Sequence, residues 1–523
     1  MTSPVQKREK NDSVPATHDI HSGTAKEISY SHNEDDDAIL QANGHSQVMA
    51  RQFNWISALG LGFSITNSWI GYLSCFGQTL IYGGAQACIF TLIVAFIVQF
   101  IPTLGLAELA SAFPSSGGQY HFCYILSPDR TRRYFAYTVG WLSVLAWWVA
   151  TCSGISVTTS ALNGIVHFFI PGYVASQWET FLTYVGVAIV TMIPIFLVPK
   201  RMSYVTQFTL CLSLSAYLVF FVVSLAMHQQ TRSATWVVKS GQGISGWNEG
   251  TAWMLAVGNS MYSFGAVDGA MHISEEMSQA GRRVPQVMIM SLILGLVTCL
   301  SLFIALTFFI SDLDAVRDSP LPSLELIYQI TGSRKTTLGL FILFLMTCMS
   351  ALPSQWVTSG RMAWAFARDN GTPFPEIFSH VSEKFQFPVY ATVAAFSFIC
   401  VYGLLYLAST TAFNTIITSA VLFLNITYAV PQGILLLRGR EALPKRYLNL
   451  GRVGYPCNVF SVLWTTALVV LICLPPKIPV TLQSMNYICV VLAGVFLVIN
   501  GLWLFIGRER FEGPHIDWSL LGM

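Results

Sequence analysis

The sequence predicts an all-α polytopic membrane protein with about twelve transmembrane helices, and three observations predict this fold class. Hydrophobic residues make up 53% of the chain and charged residues only 10%, whereas soluble domains carry about 25% charged residues. From residue 53 onward, about twelve apolar segments are each long enough to cross a bilayer, which takes roughly 20 residues. The basic residues concentrate in alternate loops, as expected for a chain that crosses a membrane repeatedly.

The predicted spans divide the chain into four parts. We expect a disordered cytoplasmic tail over 1–51, a ten-helix transporter core over 52–437, two additional transmembrane helices over 438–506 and a cytoplasmic tail over 507–523. The first tail is polar and carries an acidic run, so it cannot bury enough apolar surface to fold alone. The predicted spans are 55–80, 84–109, 135–168, 179–198, 204–227, 250–274, 285–310, 336–366, 388–408, 413–437, 457–475 and 484–506.

Basic residues predict the orientation in the membrane. With the N-terminus inside, 22 of the 28 lysines and arginines fall in the tails and the internal loops, and the positive-inside rule then places both termini in the cytoplasm. No apolar signal peptide precedes the first span. We therefore expect a multi-pass protein of the plasma membrane. Its net charge of +2 gives no sign of a nucleic-acid partner.

Composition and motifs exclude several functional classes. The eleven cysteines lie mostly within apolar segments, and CxxC spacing and Cys/His clusters are absent from the sequence. We therefore predict no disulfide framework, no metal site and no cofactor. The sequence also lacks a nucleotide-binding loop and a Ser/His/Asp set in a soluble domain, which argues against an enzyme. A channel would need a filter sequence, and the chain has none.

A polar cluster interrupts the first predicted span. Ser64, Thr66, Asn67 and Ser68 lie in the middle of the apolar stretch WISALGLGFSITNSWIGYLSCFG. Ser and Thr can bond back to their own helix, and small residues permit close helix packing. This structural alternative explains the neighbouring glycines well. It explains a run of polar residues that contains an asparagine less well.

The sixth predicted span carries the same kind of interruption. Within Asn259–Glu276, reading NSMYSFGAVDGAMHISEE, the apolar run contains Gly265, Gly269 and the ionisable Asp268. A charged side chain at membrane depth costs about 3 kcal/mol on insertion scales and usually serves function. Nearby glycines favour a helix that unwinds and exposes its backbone to a cavity.

The two interrupted spans lie five spans apart, as an inverted repeat of five helices predicts. Unwound segments present free N–H groups to an anion and free C=O groups to a cation. We therefore place a site for a small-molecule substrate between these spans, near the membrane midplane. The predicted substrate-binding residues are Ser64, Thr66, Asn67, Ser68, Trp69, Tyr262, Phe264 and Asp268.

Four motifs carry a resemblance to a known family. They are GLGFSITNSWIGYLS in the first span, GLAELASAFPSSGGQYHF from Gly105, DGAMHISEEMSQAGRRVP from Asp268 and SGRMAWAFARDNGTPFP from Ser359. With these motifs in this order, the chain resembles the amino acid–polyamine–organocation superfamily, and within it the fungal amino acid/choline transporter family. The resemblance implies a permease with a five-plus-five inverted repeat, broken helices 1 and 6 and two extra C-terminal helices.

Charged residues near the predicted cytoplasmic helix ends are candidates for an inner gate. Two arginines lie seven residues apart on one face of the eighth span, within reach of nearby glutamates. The alternative is that each of these charges is solvated independently. The resemblance favours the gate without showing which pairs form. The predicted coupling and gating residues are Asp268, Glu108, Glu275, Glu276, Arg361 and Arg368.

Aromatic residues and Asp268 bear on the substrate. A quaternary ammonium gains roughly 0.5–2 kcal/mol per aromatic face, and Asp268 could neutralise such a cation. Relatives with a similar acidic residue carry amino acids or γ-aminobutyrate, so Asp268 alone does not fix the substrate. The YGG of Tyr82–Gly84 and the stretch SITNSWIGYLS resemble choline-permease-like members. This resemblance favours a choline-like cation, with γ-aminobutyrate or another amino acid as the alternative. The aromatic residues that could form a cage are Trp69, Tyr72, Trp147, Trp148, Tyr262 and Phe264.

The predicted function is proton-coupled secondary active uptake of a small amine or amino acid. The sequence shows no cluster of oxygen ligands for Na⁺, and Asp268 and Glu108 are the candidate proton carriers. The partners are then the substrate, the proton and the lipid bilayer. A non-transporting nutrient sensor on the same fold is the alternative from another class, and the short tails disfavour it.

Overall fold

The computed structural model describes residues 37–38, 40–42, 44, 47–170, 172–408, 410–481 and 485–519, with the backbone alone at 408 and 410–418. The predicted disorder of the first tail falls mostly on residues 1–36, outside the described residues. The described chain is helical, and the prediction of an all-α protein is confirmed. It contains no β-strand, and Phe53 and Met277 form only an isolated bridge.

The helices of the described chain follow one another with short connections. Between them lie 3₁₀ turns, of which Met261–Phe264 and Val267–Glu276 matter most below. The α-helices are α1 Trp55–Thr66, α2 Ser68–Ala112, α3 Gln119–Leu126, α4 Arg132–Phe169, α5 Gln177–Leu197, α6 Met202–Met227, α7 Ala234–Val237, α8 Glu249–Ser260, α9 Ala280–Phe308, α10 Leu313–Asp318, α11 Pro322–Thr331, α12 Arg334–Arg368, α13 Pro375–Phe378, α14 Val389–Gly403, α15 Leu405–Ala408, α16 Thr410–Arg438, α17 Gly454–Cys473, α18 Ile488–Leu502 and α19 Arg508–Arg510.

Ten helical stretches in the described chain are long and apolar enough to cross a membrane. The first, Trp55–Ala112, joins α1 and α2 over 58 residues, which is roughly 87 Å and far more than the hydrocarbon core needs. It changes direction at Gly84, where φ is +73°, and so supplies two spans. The interrupted stretch from α8 to Glu276 adds another. These segments together match the predicted number of about twelve.

The two interrupted stretches lie side by side. α1 contacts the 3₁₀ segment Val267–Glu276, and α2 contacts the turn Met261–Phe264. A Cβ atom at Gly269 would lie 2.6 Å from Ile65 Cδ1, so this glycine allows the close approach. The two interrupted stretches therefore run in opposite directions, and their breaks lie at the same level. An inverted repeat predicts this arrangement.

Both terminal segments lie on one face of the bundle, called the terminal face here, which the sequence predicts to be cytoplasmic. The Asp517 N–H donates to the Ala42 carbonyl at 3.0 Å, and Arg133 Nε donates to the Phe511 carbonyl at 2.6 Å. The Phe511 ring is fully buried against Phe366 of α12. The segment after the last span therefore packs on the bundle.

Candidate substrate site

The first helix interruption is a single left-handed residue, Asn67. Its φ and ψ are 30° and 58°, a conformation that asparagine tolerates better than most residues. Ser213 of α6 stabilises the break, because its hydroxyl donates to Asn67 Oδ1 at 2.9 Å and accepts from Trp69 Nε1 at 3.1 Å. α2 therefore begins inside the bundle, and its first backbone N–H groups have no partner within the helix.

The second interruption is longer and more strained. After the turn Met261–Phe264, Gly265 is extended and Ala266 is left-handed with a φ of 58°. A left-handed alanine persists only where the surrounding structure enforces it. A 3₁₀ segment of ten residues, Val267–Glu276, follows. Such runs rarely exceed three or four residues, and longer ones often mark a functional hinge.

A cavity lies at the two interruptions and is called the central cavity below. The space between its lining atoms, including the part open to solvent, is about 720 Å³. None of its described lining residues is charged, and Tyr262 is the only aromatic residue among them. The lining residues are Ser64, Ile65, Thr66, Asn67, Ile70, Gly71, Ala150, Ser153, Gly154, Val157, Thr158, Tyr262, Gly265, Ala266, Cys348, Ala351, Leu352, Gln355, Ala420, Val421 and Leu424.

The central cavity contains half of the predicted substrate-binding residues. Tyr262 Oη lies 2.6 Å from Ser153 Oγ, so the broken helix and α4 meet at the cavity. The predicted residues that line it are Ser64, Thr66, Asn67 and Tyr262. The other four predicted residues do not line it: Ser68, Trp69, Phe264 and Asp268. The binding role of all eight stays a prediction.

Asp268 is fully buried and follows the cavity-lining Ala266 by two residues. Its carboxylate is already occupied by side chains of the protein. Oδ1 accepts one hydrogen bond, whereas three side chains face Oδ2. The four partners are Tyr428 Oη at 2.6 Å from Oδ1, and Gln119 Nε2 at 2.6 Å, Trp147 Nε1 at 3.1 Å and His272 Nε2 at 3.2 Å from Oδ2.

The predicted aromatic cage is not assembled at the central cavity. Trp147 donates its ring N–H to Asp268, Trp69 donates to a serine of α6, and Tyr72 donates its hydroxyl to a backbone carbonyl. Buried indole and phenol groups need such partners, and here the 3₁₀ segment, α6 and the part of α2 beyond Gly84 supply them. Of the six predicted cage residues, Tyr262 alone lines the cavity.

Two of the predicted gate pairs form on the terminal face. Glu276 accepts hydrogen bonds from Arg361 Nε at 2.6 Å and from its Nη2 at 3.2 Å, and both side chains are only 1% exposed. Glu275 accepts two hydrogen bonds from Arg368, at 2.8 and 3.0 Å. Such bidentate pairs are strong and directional. They bind the end of the 3₁₀ segment to α12.

Glu108 pairs with two arginines that the sequence did not indicate. Its buried carboxylate accepts two hydrogen bonds from Arg446, at 2.9 and 2.7 Å, a further one from Arg440, and one from the Leu450 N–H at 3.1 Å. Both arginines belong to the loop after α16, so Glu108 fastens that loop to α2. The hydrogen bonds of Glu108 are therefore to arginines outside α12, and its gating role stays a prediction. Its role as a proton carrier stays a prediction.

Sequence reasoning missed four positions at the site. Gln119 and Tyr428 hold Asp268, while Gln355 and Ser153 line the cavity. Gln119 lies in the motif that ends in GGQYHF, which was the one available signal. The other three sit in apolar spans among many similar residues, where nothing in the local pattern distinguishes them.

Comparison with known protein families identifies the family of this chain. The family model described as amino acid permease matches residues 53–496, which is most of the chain. The chain belongs to the amino acid permease family. This permease is therefore a multi-pass membrane protein and a transporter of small organic substrates, not an enzyme.

Fungal transporters of several substrates are similar to this permease. A choline transporter of Saccharomyces cerevisiae is 29% identical over 476 residues, which cover 89% of this chain and 83% of its own. A swainsonine transporter of Arthroderma benhamiae is 25% identical over 92% of this chain and 96% of its own. A 7-keto 8-aminopelargonic acid transporter of Saccharomyces cerevisiae is 25% identical over 86% and 91%. The relatives thus differ in the substrates that they are named for.

Proposed function

We propose that this permease is a secondary active transporter that takes up a small amine or amino acid together with a proton. The observation that carries the proposal is the central cavity, which lies at both helix interruptions and has no charged residue in its described lining. The charged groups of the substrate are then bound by the backbone. The N–H groups at the start of α2 suit a carboxylate, and carbonyl groups at the end of the turn Met261–Phe264 suit an amine.

A choline-like cation is the second, narrower candidate substrate. Two observations favour it: the similarity to a choline transporter and the ring of Tyr262 in the cavity wall. One aromatic face contributes roughly 0.5–2 kcal/mol to binding a quaternary ammonium. The absence of a complete cage from the described lining leaves amino acids such as γ-aminobutyrate as equal candidates.

The proton-coupling part of the proposal is supported by Asp268. It is an ionisable group buried inside the bundle, at the start of the 3₁₀ segment and two residues from the cavity wall. Ionisable residues in such positions commonly form proton relays in transporters. We further propose that the permease resides in the plasma membrane with its terminal face in the cytoplasm.

An uptake panel tests this function. Cells that lack their own permeases express the protein and receive labelled choline, ethanolamine, γ-aminobutyrate, or neutral or basic amino acids, at acidic and neutral external pH. We expect accumulation of at least one compound, faster at acidic pH and abolished by a protonophore. A correctly localised protein that accumulates none of them would contradict transport of this class and favour a sensor. Accumulation that a protonophore leaves unchanged would contradict proton coupling.

Two matched glycine variants test whether the central cavity is the substrate site. A Cβ atom at Gly154 would lie 2.4 Å from Gln355 Oε1 and 2.8 Å from Leu352 Cδ2, both in the cavity wall. A Cβ atom at Gly186 of α5 would have no neighbour within 4 Å. Gly154→Leu should abolish uptake and Gly186→Leu should preserve it, at equal surface abundance. Equal uptake by the two variants would mean that the substrate binds elsewhere.

A further inference from the structure

We infer that Asp268 and His272 together form the binding site of the coupling proton, and that one proton held between them stabilises closure of the terminal face. The two side chains lie four residues apart on the 3₁₀ segment and are fully buried, with Asp268 Oδ2 and His272 Nε2 3.2 Å apart. The inference rests on the proposed proton-coupled uptake. It adds His272 to the predicted coupling residues, and it predicts that the bound proton stabilises the closed gate.

The hydrogen bonds of His272 fix the position of its first proton. Nδ1 lies 2.9 Å from the carbonyl oxygen of Ser116. A carbonyl oxygen can only accept, so Nδ1 carries a hydrogen. The other ring nitrogen, Nε2, faces the Asp268 carboxyl group. If Nε2 carries a hydrogen too, the ring is an imidazolium cation, and if it does not, its lone pair points at Oδ2.

The other hydrogen bonds of Asp268 do not place a hydrogen between Asp268 and His272. The Gln119 amide, the Trp147 indole and the Tyr428 hydroxyl each donate to the carboxyl group. None of these donated hydrogens lies between Asp268 Oδ2 and His272 Nε2. Without a proton there, two lone pairs would face each other at 3.2 Å in a buried site, which is costly. The observed geometry therefore holds one proton on the pair, on the ring or on the carboxyl group.

The surroundings of the pair contain few other ionisable groups. Tyr428 of α16 contacts Asp268 directly, while α3 and α4 present the neutral side chains of Gln119 and Trp147. On the 3₁₀ segment itself, the two glutamates are each paired with an arginine of α12. Two further helices pack against this segment: α1 presents Ile65 to it, and α9 carries Arg282, whose guanidinium lies over the ring of Tyr447. Each of those glutamate–arginine ion pairs is neutral as a whole. The Asp268–His272 pair is therefore the site that binds and releases a proton.

A chain of hydrogen bonds connects this proton to the gate. His272 bonds the carbonyl of Ser116, the Ser116 N–H donates to Glu275 at 3.2 Å, and Glu275 pairs with Arg368. Loss of the proton removes the attraction that orients His272, and with it the contact to Ser116. By linkage, the closed terminal face is favoured at low pH and loses stability as the pH rises. The proton enters with the substrate and leaves to the cytoplasm when this face opens, and only N–H and O–H bonds change.

Transport by a variant that lacks the imidazole tests the site. Gln at position 272 can still donate to Asp268, so His272→Gln keeps one hydrogen bond and removes the ring nitrogen that shares the proton. In proteoliposomes with an imposed proton gradient and labelled choline or γ-aminobutyrate, we expect the wild type to accumulate a probe. The His272→Gln variant should lose accumulation and keep counterflow. Wild-type accumulation by His272→Gln would overturn the inference, whereas a wild type without gradient dependence would instead overturn the proposed function.

The chain offers a matched control for that experiment. His121 lies on α3 near the same face, is fully buried and contacts Asp369, with Nε2 2.9 Å from Oδ2. It belongs to a second histidine–aspartate pair, and it is not among the described residues that line the central cavity. His121→Gln should therefore retain gradient-driven accumulation. If His121→Gln reduced accumulation as much as His272→Gln does, the loss could not be attributed to the Asp268–His272 pair, and the inference would be contradicted.

A second measurement needs no substrate. Ser274 is buried beside the gate, so the thiol of Ser274→Cys should react with a maleimide only when the terminal face opens. Corrected for the reactivity of the denatured protein and the background of the native cysteines, its labelling rate should rise with pH, by at most about tenfold per pH unit for one proton. Adding His272→Gln should flatten this profile, and adding His121→Gln should not. An unchanged profile with His272→Gln would overturn the inference.

Discussion

Asp268 is held by four side chains from four parts of the chain, and it lies two residues from Ala266 in the wall of the central cavity. Replacing it by asparagine keeps its size and removes its titratable proton. If it carries the coupling proton, Asp268→Asn should abolish accumulation against a gradient while counterflow of labelled substrate persists. We would measure both in proteoliposomes, with equal amounts of correctly folded protein.

The opposite outcome would identify a counter-ion. Loss of a charge-assisted bond of about 1–3 kcal/mol would weaken binding of a cationic substrate roughly 5- to 150-fold, and counterflow would fall with accumulation. Normal accumulation, counterflow and pH dependence would mean that Asp268 only stabilises the broken helix.

The sequence could single out Asp268 because a charge inside an apolar run is unusual by itself. It could not show the surroundings of that charge. Gln119, Trp147 and Tyr428 lie 149, 121 and 160 residues away along the chain. Each is an ordinary residue in its own segment. The partners of the predicted cage residues could not be seen in the sequence for the same reason: the indole N–H groups of Trp69 and Trp147 bond to Ser213 and Asp268, which are far away along the chain.

Among the elements, the contact between α12 and the 3₁₀ segment depends on Arg361 and Glu276. Removing one partner of a buried ion pair leaves an uncompensated charge, at a cost of about 3–5 kcal/mol. Arg361→Ala should therefore reduce the transport rate per molecule at the cell surface more than it reduces surface abundance. Arg368→Ala should have a smaller effect, since the Arg368 side chain is 16% exposed and water compensates part of the loss.

A double variant separates gating from folding at this contact. Arg361→Met combined with Glu276→Leu removes both charges, so no unpaired charge remains, and surface abundance should recover relative to Arg361→Ala. The transport rate should stay low if the pair acts as a gate. Normal transport by a well-expressed Arg361→Ala protein would mean that these charges have no gating role.

The loop after α16 provides a second prediction for an element. Glu108→Gln should release this loop from α2, because Arg440 and Arg446 lose a shared carboxylate. Trypsin should then cleave the detergent-solubilised protein faster within 440–450. Glu383→Gln is a suitable control, as Glu383 is exposed. Equal cleavage rates in the two variants would contradict a role for Glu108 in holding the loop.

For the whole molecule, the contact between Asp517 and Ala42 places both terminal segments on one face. An even number of spans requires the same result, and the distribution of basic residues predicts that this face is cytoplasmic. Protease added to intact cells should therefore cleave a reporter tag at neither end. Permeabilised cells serve as the control, in which both tags should be cut. Cleavage of either tag from outside would contradict the orientation.

Spans and interruptions could be predicted for the whole chain because each rests on a local cost, that of placing polar or charged groups in a bilayer. The packing of the second tail could not. Phe511 follows the last span in a short polar stretch that reads as solvated, and its burial depends on Arg133 and Phe366. These partners come from α4 and α12, far away in sequence.

The ten residues of the 3₁₀ segment also imply a change of length. At about 2.0 Å per residue they extend over roughly 20 Å, whereas the same residues in an α-helix would extend over roughly 15 Å. If this segment rewound into an α-helix, Glu275 and Glu276 would therefore move about 5 Å along its axis. The hydrogen bonds to their arginines are 2.6 to 3.2 Å long, so a displacement of that size would break both ion pairs. A change of helix type within one short segment would then release the gate while every full-length helix kept its place.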